Sequence, residues 1–386
     1  MKFFHLSDLH IGLKLVGRDL REDQEYILDR ILDAAAAQRP DAVVIAGDIY
    51  DKAIPSAEAY DIFDGFVSKL HACLPDTEIM MISGNHDSQS RVNVFRSILK
   101  TSRIHMIGTP PEREGEHIEK VTLRDEYGPV NFYLLPFVKP SMIRGIVGTD
   151  ADGNHFSYDE SIRRLLALEE IDRNERNVLV SHQFYIPAGT DADQVERMES
   201  EIITVGNIDQ VRTDVLSPFD YAALGHIHKP MRAGSEFYRY CGTPLAVSFS
   251  EAGQEKGILM VEMGAKEDPD FISVREIPLI PLRRIRIISG DAKALLEEGC
   301  EDYVRIELTD DAESSIPDLK ERLREVFPNL LEIRRKMPGG ANYDTPFTPE
   351  REPDVFELCR SFIGEIDEEE EKILRDVINT VKGEML

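Results

Sequence analysis

The sequence has no tryptophan and only four cysteines, Cys73, Cys241, Cys300 and Cys359, which lie far apart and form no CxxC pair. That spacing suits neither a disulfide framework nor a structural zinc site, and reduced cytosolic thiols are the simpler expectation. Apolar runs are short: the longest, such as 42–46 and 132–138, fall far below the ~20 residues that a membrane helix needs. A secretory leader is not expected, because His5, Asp8 and His10 interrupt the apolar start. Basic residues are also scarce. Against 72 Asp and Glu there are 45 Lys and Arg, giving a net charge of −27 and a pI near 4.8, which excludes a generally basic nucleic-acid binder. No Gly-x-x-x-x-Gly-Lys-Ser/Thr phosphate loop is present, so the chain is not expected to hydrolyse ATP itself. What remains is a chain of 386 residues, 42% hydrophobic, expected to be cytoplasmic and long enough for two or three domains.

Residues 1 to about 100 alternate between short apolar runs and helical periods. Phe3–Leu6 followed by a helix over 19–37, 42–46 followed by 57–70, and 79–82 followed by 92–99 give strand, polar loop, helix three times. Hairpins are expected between 104 and 138, a helix over 158–176, and short strands at 178–180 and 221–224. The polar stretch 188–207 reads as a long loop or lid. A meander over 235–261 would complete a second sheet facing the first. The expected fold class is therefore α/β in the sense of an α+β sandwich, two facing mixed β-sheets flanked by helices, occupying residues 1–280. Pro278 and Pro281 suggest a boundary, after which residues 281–337 alternate as a small βαβαβ domain. The tail, 338–386, is acidic, with apolar residues at helical spacing; from Gly340 onwards it holds 13 acidic and 5 basic residues. Helices with an apolar face and no core of their own suggest docking onto a partner, or packing back on the first domain.

Five polar clusters stand at the carboxyl ends of the expected strands: Asp8 with His10, Asp48 in Gly-Asp-Ile-Tyr-Asp, Gly84-Asn85-His86-Asp87, His182, and Gly225-His226-Ile227-His228. Taken singly, each also reads as a capped turn or a pair of satisfied histidines. Strand ends are where ligands gather in open α/β sheets, so the five together point to one convergent site. Carboxylate, imidazole and amide oxygen without thiolate suit Mn²⁺, Fe or Mg²⁺. The i, i+2 spacing in Asp8-x-His10 and His226-x-His228 puts both side chains of each pair on one face of an extended segment. With one bridging carboxylate there are enough ligands for two ions, the arrangement that clamps the attacking and leaving oxygens of a phosphoester.

In this order the clusters resemble the pattern of the calcineurin-like metallophosphoesterases: D-x-H, G-D, G-N-H-D, a lone H, then G-H-x-H. The fuller runs Ser7–Gly12, Gly47–Asp51, Leu224–Pro230 and Tyr240–Pro244 are similar to bacterial DNA nuclease subunits of that superfamily. The resemblance implies one divalent ion on Asp8, His10, Asp48 and His228, a second on Asp48, Asn85, His182 and His226, and Mn²⁺ before Mg²⁺ or Fe. It implies that His86 protonates the leaving oxygen or stabilises transition-state charge, with Asp87 orienting it. Archaeal and eukaryotic relatives carry histidine where this chain has Asp51, which leaves Asp51 either a hydrogen-bond partner near the site or a turn residue.

By the same resemblance the substrate is DNA, cut at ends and hairpins as a double-strand exonuclease and single-strand endonuclease. Residues 281–337 form a capping domain over DNA access, and the tail docks on an ABC-type ATPase. Two catalytic domains pair through residues 57–70 and 92–99, within a heterotetramer. Excluding the tail still leaves a charge of −19, so any DNA groove is local; Lys14, Arg18, Arg91 and Lys229 are the candidates beside the motifs, with Arg96, Arg232, Arg283, Arg284 and Arg286 further out. Two other functions are compatible with the motifs: a dimetal phosphodiesterase or phosphatase acting on small nucleotides, and a non-catalytic scaffold of a repair complex.

Overall fold

The computed structural model describes residues 1–187, 189–190, 198–201, 209–309 and 318–335, and in the tail 356, 359–360, 363 and 367–384. Most of the stretch 188–207, which the sequence suggests is a loop or lid, lies outside the described residues. Two compact units are present, one formed by Met1–Glu201 and Asp209–Arg286, the other from Ile287 onwards.

The first unit contains β1 (Lys2–Leu6), α1 (Arg21–Gln38), β2 (Ala42–Ala46), α2 (Ala57–Cys73), β3 (Glu78–Ile82), β4 (Ile104–Ile107), β5 (Glu119–Asp125) and β6 (Gly128–Leu135). Then come α3 (Pro140–Val147), α4 (Tyr158–Ala167), β7 (Arg176–His182), β8 (Tyr221–Gly225), β9 (Met231–Arg232), β10 (Tyr238–Tyr240), β11 (Lys256–Met263) and β12 (Ile272–Leu279). One six-stranded sheet has the order β12-β11-β1-β2-β3-β4 and the other β9-β10-β8-β7-β6-β5. Strands β1 to β4 are mutually parallel, as are β6, β7, β8 and β10; the edges β11–β12, β9 and β5 run antiparallel.

The parallel strands are apolar on both faces because both faces are covered. Phe3, Val44, Met80, Phe132, Val178, Val180 and Ala223 fill the space between the sheets, where Phe3 meets Phe132 edge-on with ring centroids 5.2 Å apart. The alternate residues point outward: Phe4, Val43 and Ile45 pack on α1 and α2, and Tyr133, Leu135 and Leu179 on α3 and α4. This is the facing-sheet sandwich expected from the sequence.

Three local expectations differ. The helix read over 92–99 is two single turns, Gln89–Val92 and Arg96–Leu99, interrupted at Phe95, whose φ of 63° lies in the left-handed region. The helix read over 158–176 stops at Ala167, after which the Asp172 carboxylate accepts the Asn174 N–H in a turn and β7 begins at Arg176. The 235–261 meander divides: Tyr238–Tyr240 joins the second sheet, whereas Lys256–Met263 pairs with β1 in the first.

From the boundary onwards the chain forms a three-stranded sheet of β13 (Ile285–Gly290, whose first two residues precede the boundary), β14 (Tyr303–Leu308) and β15 (Leu330–Arg335), with helices α5 (Ala292–Leu295) and α6 (Leu319–Val326). Its core is Leu295, Val304, Ile306, Leu323 and Phe327. The tail helix α7 spans Glu368–Glu384, with the Arg375 guanidinium over the Phe356 ring at 3.9 Å. Among the described residues no helix is long and apolar enough to cross a membrane.

Candidate metal centre

All five clusters stand at carboxyl ends of adjacent parallel strands, as register requires: Leu6 pairs with Ile45, Ala46 with Ile82, and His182 with Gly225. The loops after β1 and β2 are laced together by Asp8 N–H to the Gly47 carbonyl (3.0 Å) and His10 N–H to the Asp48 carbonyl (3.1 Å). Across the two sheets, the Asp8 carboxylate accepts the His226 N–H at 3.1 Å. Four of the polar residues have left-handed backbones, Asp8 (φ 53°), His10 (43°), Asp48 (49°) and His226 (102°). Such conformations cost on the order of 1–3 kcal/mol each in a non-glycine residue and persist where the surroundings enforce them.

Two glycines allow the close approach. A Cβ at Gly84 would lie 2.1 Å from Asp48 Oδ1, and one at Gly225 would lie 2.0 Å from the Ala46 carbonyl oxygen and 2.7 Å from His182 Nδ1.

The side chains converge as three overlapping groups able to hold a cation: Asp8, His10 and His228; Asp8, Asp48 and His182; and His10, Asp48 and His86. His10 Nε2 and His228 Nε2 are 3.0 Å apart, and Asp48 Oδ2 lies 3.7 Å from His10 Nε2 and 3.2 Å from His182 Nε2. The Asn85 amide oxygen is 3.0 Å from His182 Nε2 and 2.9 Å from His226 Nδ1. Asp48 thus stands between an Asp8–His10–His228 side and an Asn85–His182–His226 side, bringing together all seven residues read from the sequence as ligands.

These residues fit divalent cations. Two imidazole nitrogens 3.0 Å apart repel unless a proton or a cation lies between them, and His10 Nδ1 is buried with no hydrogen-bond partner among the described residues. Acceptors of oxygen and imidazole nitrogen without sulfur match hard to borderline ions. The backbone fixes which nitrogen is presented: His182 Nδ1 donates to the Ala46 carbonyl at 2.7 Å, leaving Nε2 toward Asp48.

Burial and mutual charge divide the cluster into groups that hold their protons, Asp8 and His182, and groups that release them, Asp48 and His10. Burial pushes Asp8 up to about 6 against the opposing His182 and His228. Burial alone would raise Asp48 as well, but His182 and His86 outweigh it and hold that carboxylate well below its usual range. His182 goes up to about 9: burial disfavours its charge, and the adjacent Asp48 overcomes this. His10 is held well below the usual imidazole value by burial together with His228 and His86. Ions entering such a site must displace protons.

His86 is partly exposed, with Nε2 4.0 Å from Asp48 Oδ2 and Nδ1 donating to the Asp51 carbonyl at 2.9 Å. The sequence suggests that Asp87 orients His86, but in the structure Asp87 is otherwise engaged. It is buried and accepts the N–H groups of Ile49 (3.0 Å), Tyr50 (2.9 Å) and Gly84 (2.9 Å), clamping the loop after β2 to the loop after β3. Burial, helped by the Asp48 charge, pushes Asp87 up to about 6 in spite of those bonds. The Asp51 carboxylate, raised mainly by burial, stands 4.0 Å from His10 Nδ1.

Of the cationic candidates, Lys14 lines a groove of about 550 Å³ beside the cluster, together with Gly12, Asp51 and Lys52. Arg18 and Arg91 are exposed and Lys229 is half-buried. Arg96 and Arg283 are engaged with protein carboxylates, at Glu119 (2.8 Å) and at Glu22 and Asp23 (2.6 and 3.0 Å); Arg232 lies 3.9 Å from Glu236. Sequence reasoning missed Ser200, Glu201, Glu251 and Lys256, which surround His228. Both Glu251 and Lys256 are buried, but their neighbours Gln254 and Glu255 make the stretch read as an ordinary polar loop, so the sequence carried no signal for them.

Comparison with known proteins agrees with this geometry. Residues 1–230 match the calcineurin-like phosphoesterase family, and residues 279–359 match the SbcD C-terminal domain family, described as the C-terminal domain of a type 5 capsule protein repressor. Over 340 residues the chain is 31% identical to the SbcD component of nuclease SbcCD from Staphylococcus epidermidis, covering 86% of this chain and 85% of that protein. Among solved structures, a dimetal phosphatase from Danio rerio aligns with a TM-score of 0.42 at 14% identity, over 72% of this chain and 96% of that one. A Plasmodium inner-membrane-complex anchor aligns with a TM-score of 0.40 at 9% identity, over 88% and 98%. With its dimetal motif set complete and a curated relative aligned along most of its length, the chain belongs to the calcineurin-like phosphoesterases and, among them, to the SbcD family, as a metal-dependent phosphodiesterase.

Proposed function

We propose that the protein is a Mn²⁺-dependent DNA nuclease subunit that hydrolyses phosphodiesters at DNA ends and hairpins, working with an SbcC-like ABC-type ATPase. The observation that carries this reading is the convergence of Asp8, His10, Asp48, Asn85, His182, His226 and His228 on one buried cluster in a chain related to a curated nuclease component. A pair of divalent ions bound there would activate water as the nucleophile and offset the negative charge that builds up on the phosphate. The protein's own groups do the rest. Asp8, His10 and His228 would hold one ion, Asn85, His182 and His226 the other, and Asp48 both. In its imidazolium form His86 keeps the Nδ1 proton on the Asp51 carbonyl and gives the Nε2 proton to the leaving oxygen, becoming the neutral imidazole. Asp87 keeps the loops that carry Asp48 and Asn85 in register.

The remaining assignments follow the same reading. Residues 281–337 act as the capping domain, and 338–386 dock on the ATPase; the exposed Ile363, Ile373 and Val377 support an apolar docking face on the tail. Two copies pair through the region of Val94, Phe95 and Ile98, three apolar side chains 50–69% exposed. Lys14, Arg18, Arg91 and Lys229 contact the DNA backbone.

The test is hydrolysis of a labelled hairpin-ended duplex beside an aryl phosphodiester in Mn²⁺, with the wild type and His86→Ala, with and without the ATPase. Cleavage of DNA that depends on His86 and rises with the ATPase and ATP supports the reading. Turnover of the aryl ester alone would indicate a small-substrate phosphodiesterase, and turnover of neither by metal-loaded protein a scaffold.

A further inference from the structure

His228 has four polar atoms, and three of them are gripped. Its N–H donates to Glu201 Oε1 at 2.9 Å, and its carbonyl accepts from Lys256 Nζ at 3.0 Å and from the Thr243 N–H at 3.2 Å. Its Nδ1 meets Ser200 Oγ at 2.7 Å. Only Nε2 faces the cluster, 3.0 Å from His10 Nε2.

Behind Ser200 lies Glu251, with no exposed surface. Four donors converge on its carboxylate: Ser200 (3.0 Å) and Ser248 (2.9 Å) at Oε1, Thr243 (3.0 Å) and Lys256 (2.6 Å) at Oε2. Lys256, also buried, places its three donors on Glu251, the His228 carbonyl and Gln254 Oε1 (3.0 Å). Every hydrogen-bonding site of this ion pair is therefore filled, as a buried pair requires.

A carboxylate that receives four donors only accepts. The Ser200 hydroxyl must then donate its single proton to Glu251, and its oxygen is left to accept from His228. The proton of the neutral imidazole consequently sits on Nδ1, and the Nε2 lone pair is turned into the cluster. We propose that Glu251, through Ser200 and braced by Lys256, is a positioning element that fixes the tautomer and ring orientation of His228 for one of the two divalent ions. Ser200, Glu251 and Lys256 lie outside the five clusters of the phosphoesterase pattern; of the relay's members only Thr243 falls in one of the fuller runs, Tyr240–Pro244. Burying a charged pair beside a site that apolar residues would also fill stabilises the fold little; its consequence here is a defined lone pair, and loss of such an orienting partner typically weakens metal affinity by about 10–100-fold.

The inference rests on the dimetal reading, and the experiment separates the two. Metal-free full-length protein, wild type and Ser200→Ala, is titrated with Mn²⁺ by calorimetry and by electron paramagnetic resonance, and the [¹⁵N]histidine-labelled protein gives the imidazole tautomers by NMR. The expected result is a folded protein with a modestly lowered Tm, one of two Mn²⁺ sites weakened by about 10–100-fold with the other unaltered, and loss of the Nδ1–H form at one histidine. Ser200→Thr, which restores the hydroxyl, should restore both readouts. Glu251→Gln should give the same one-site loss; if that variant does not fold, the Ser200 series decides. Two wild-type Mn²⁺ affinities and an unchanged tautomer in folded Ser200→Ala would overturn the inference alone, whereas a wild type that binds no pair of ions would overturn the dimetal reading and this inference with it.

Discussion

Replacing Gly225 by alanine should disable metal binding without substituting a single ligand. The new Cβ would sit 2.0 Å from the Ala46 carbonyl oxygen, and since Cβ contacts under 3.0 Å are essentially never seen, at least 1.0 Å must be relieved by moving backbone. That carbonyl is the acceptor that holds His182 Nδ1 at 2.7 Å, and the same Cβ would crowd that nitrogen at 2.7 Å. Metal ligands tolerate displacements of only about 0.2 Å, so the shift is several times the tolerance of the site. Overpacking of this kind costs about 1–3 kcal/mol. At roughly 2–4 °C per kcal/mol for a domain of this size, Tm should fall by about 2–12 °C. Mn²⁺ affinity, measured by calorimetry on the folded variant, should fall by at least ~10-fold. Gly65→Ala is the control: it lies inside α2 with no atom within 4 Å of the added Cβ, and should raise stability by up to ~1 kcal/mol with unchanged Mn²⁺ binding. A Gly225→Ala protein with wild-type Tm and wild-type affinity would refute the reasoning that strand proximity sets the site.

Further outcomes follow from the same geometry. His86→Ala should keep Mn²⁺ stoichiometry and slow phosphodiester hydrolysis by about 10²–10⁴-fold, whereas Asp48→Ala should impair both ions; equal metal loss in the two variants would refute the role given to His86. Because His182 is raised to about 9 in the metal-free protein, its contribution to stability is fully present below the usual imidazole value of about 6.5 and is lost as pH rises through about 9. Tm of the metal-free protein should therefore fall between pH 6.5 and 9, and Mn²⁺ titration at pH 7 should release protons, read from the buffer dependence of the calorimetric heat; proton-neutral binding would contradict it. Asp125 is held well below its usual value, its burial outweighed by the hydrogen bond from buried Arg176. That contribution is present at neutral pH and lost as the carboxylate is protonated in acid, so Asp125→Asn should flatten the acid limb of a urea-unfolding profile. Phe95, 69% exposed, should tolerate Phe95→Asp with unchanged Tm, while sedimentation reports loss of self-association.

The site was legible because its residue types are chemically narrow and their strand-end placement repeats five times. Asp8, Asp48, His182 and His226 needed no knowledge of tertiary pairing to be singled out, since a short apolar run ending in a carboxylate or imidazole marks the place. What fixes them was not legible. The acceptor for His182 is the Ala46 backbone carbonyl, which no residue type encodes. The acceptor for His86 is the Asp51 carbonyl rather than the Asp87 carboxylate, a difference of backbone geometry. Glu251 contacts Ser200, 51 positions away, and such pairing depends on the completed fold. The fold's errors have the same origin. Residues 256–263 are apolar whichever sheet they join, and β1 accepts them through non-local pairing. At Phe95 the left-handed backbone breaks a helix that periodicity alone would continue.

The ligands are also ordered along the chain in a way that bears on synthesis. Asp8 and His10 emerge from a ribosome first, yet their partners His226 and His228 stand 218 positions later. Translation at about 5–20 residues per second makes that an interval of roughly 10–40 seconds. Throughout it the nascent chain has an incomplete ligand set, with Asp48, Asn85 and His182 added one after another. Hydrolytic competence therefore arrives as a single late event, when both sheets have closed, and a polypeptide abandoned before His226 would leave no partial nuclease behind.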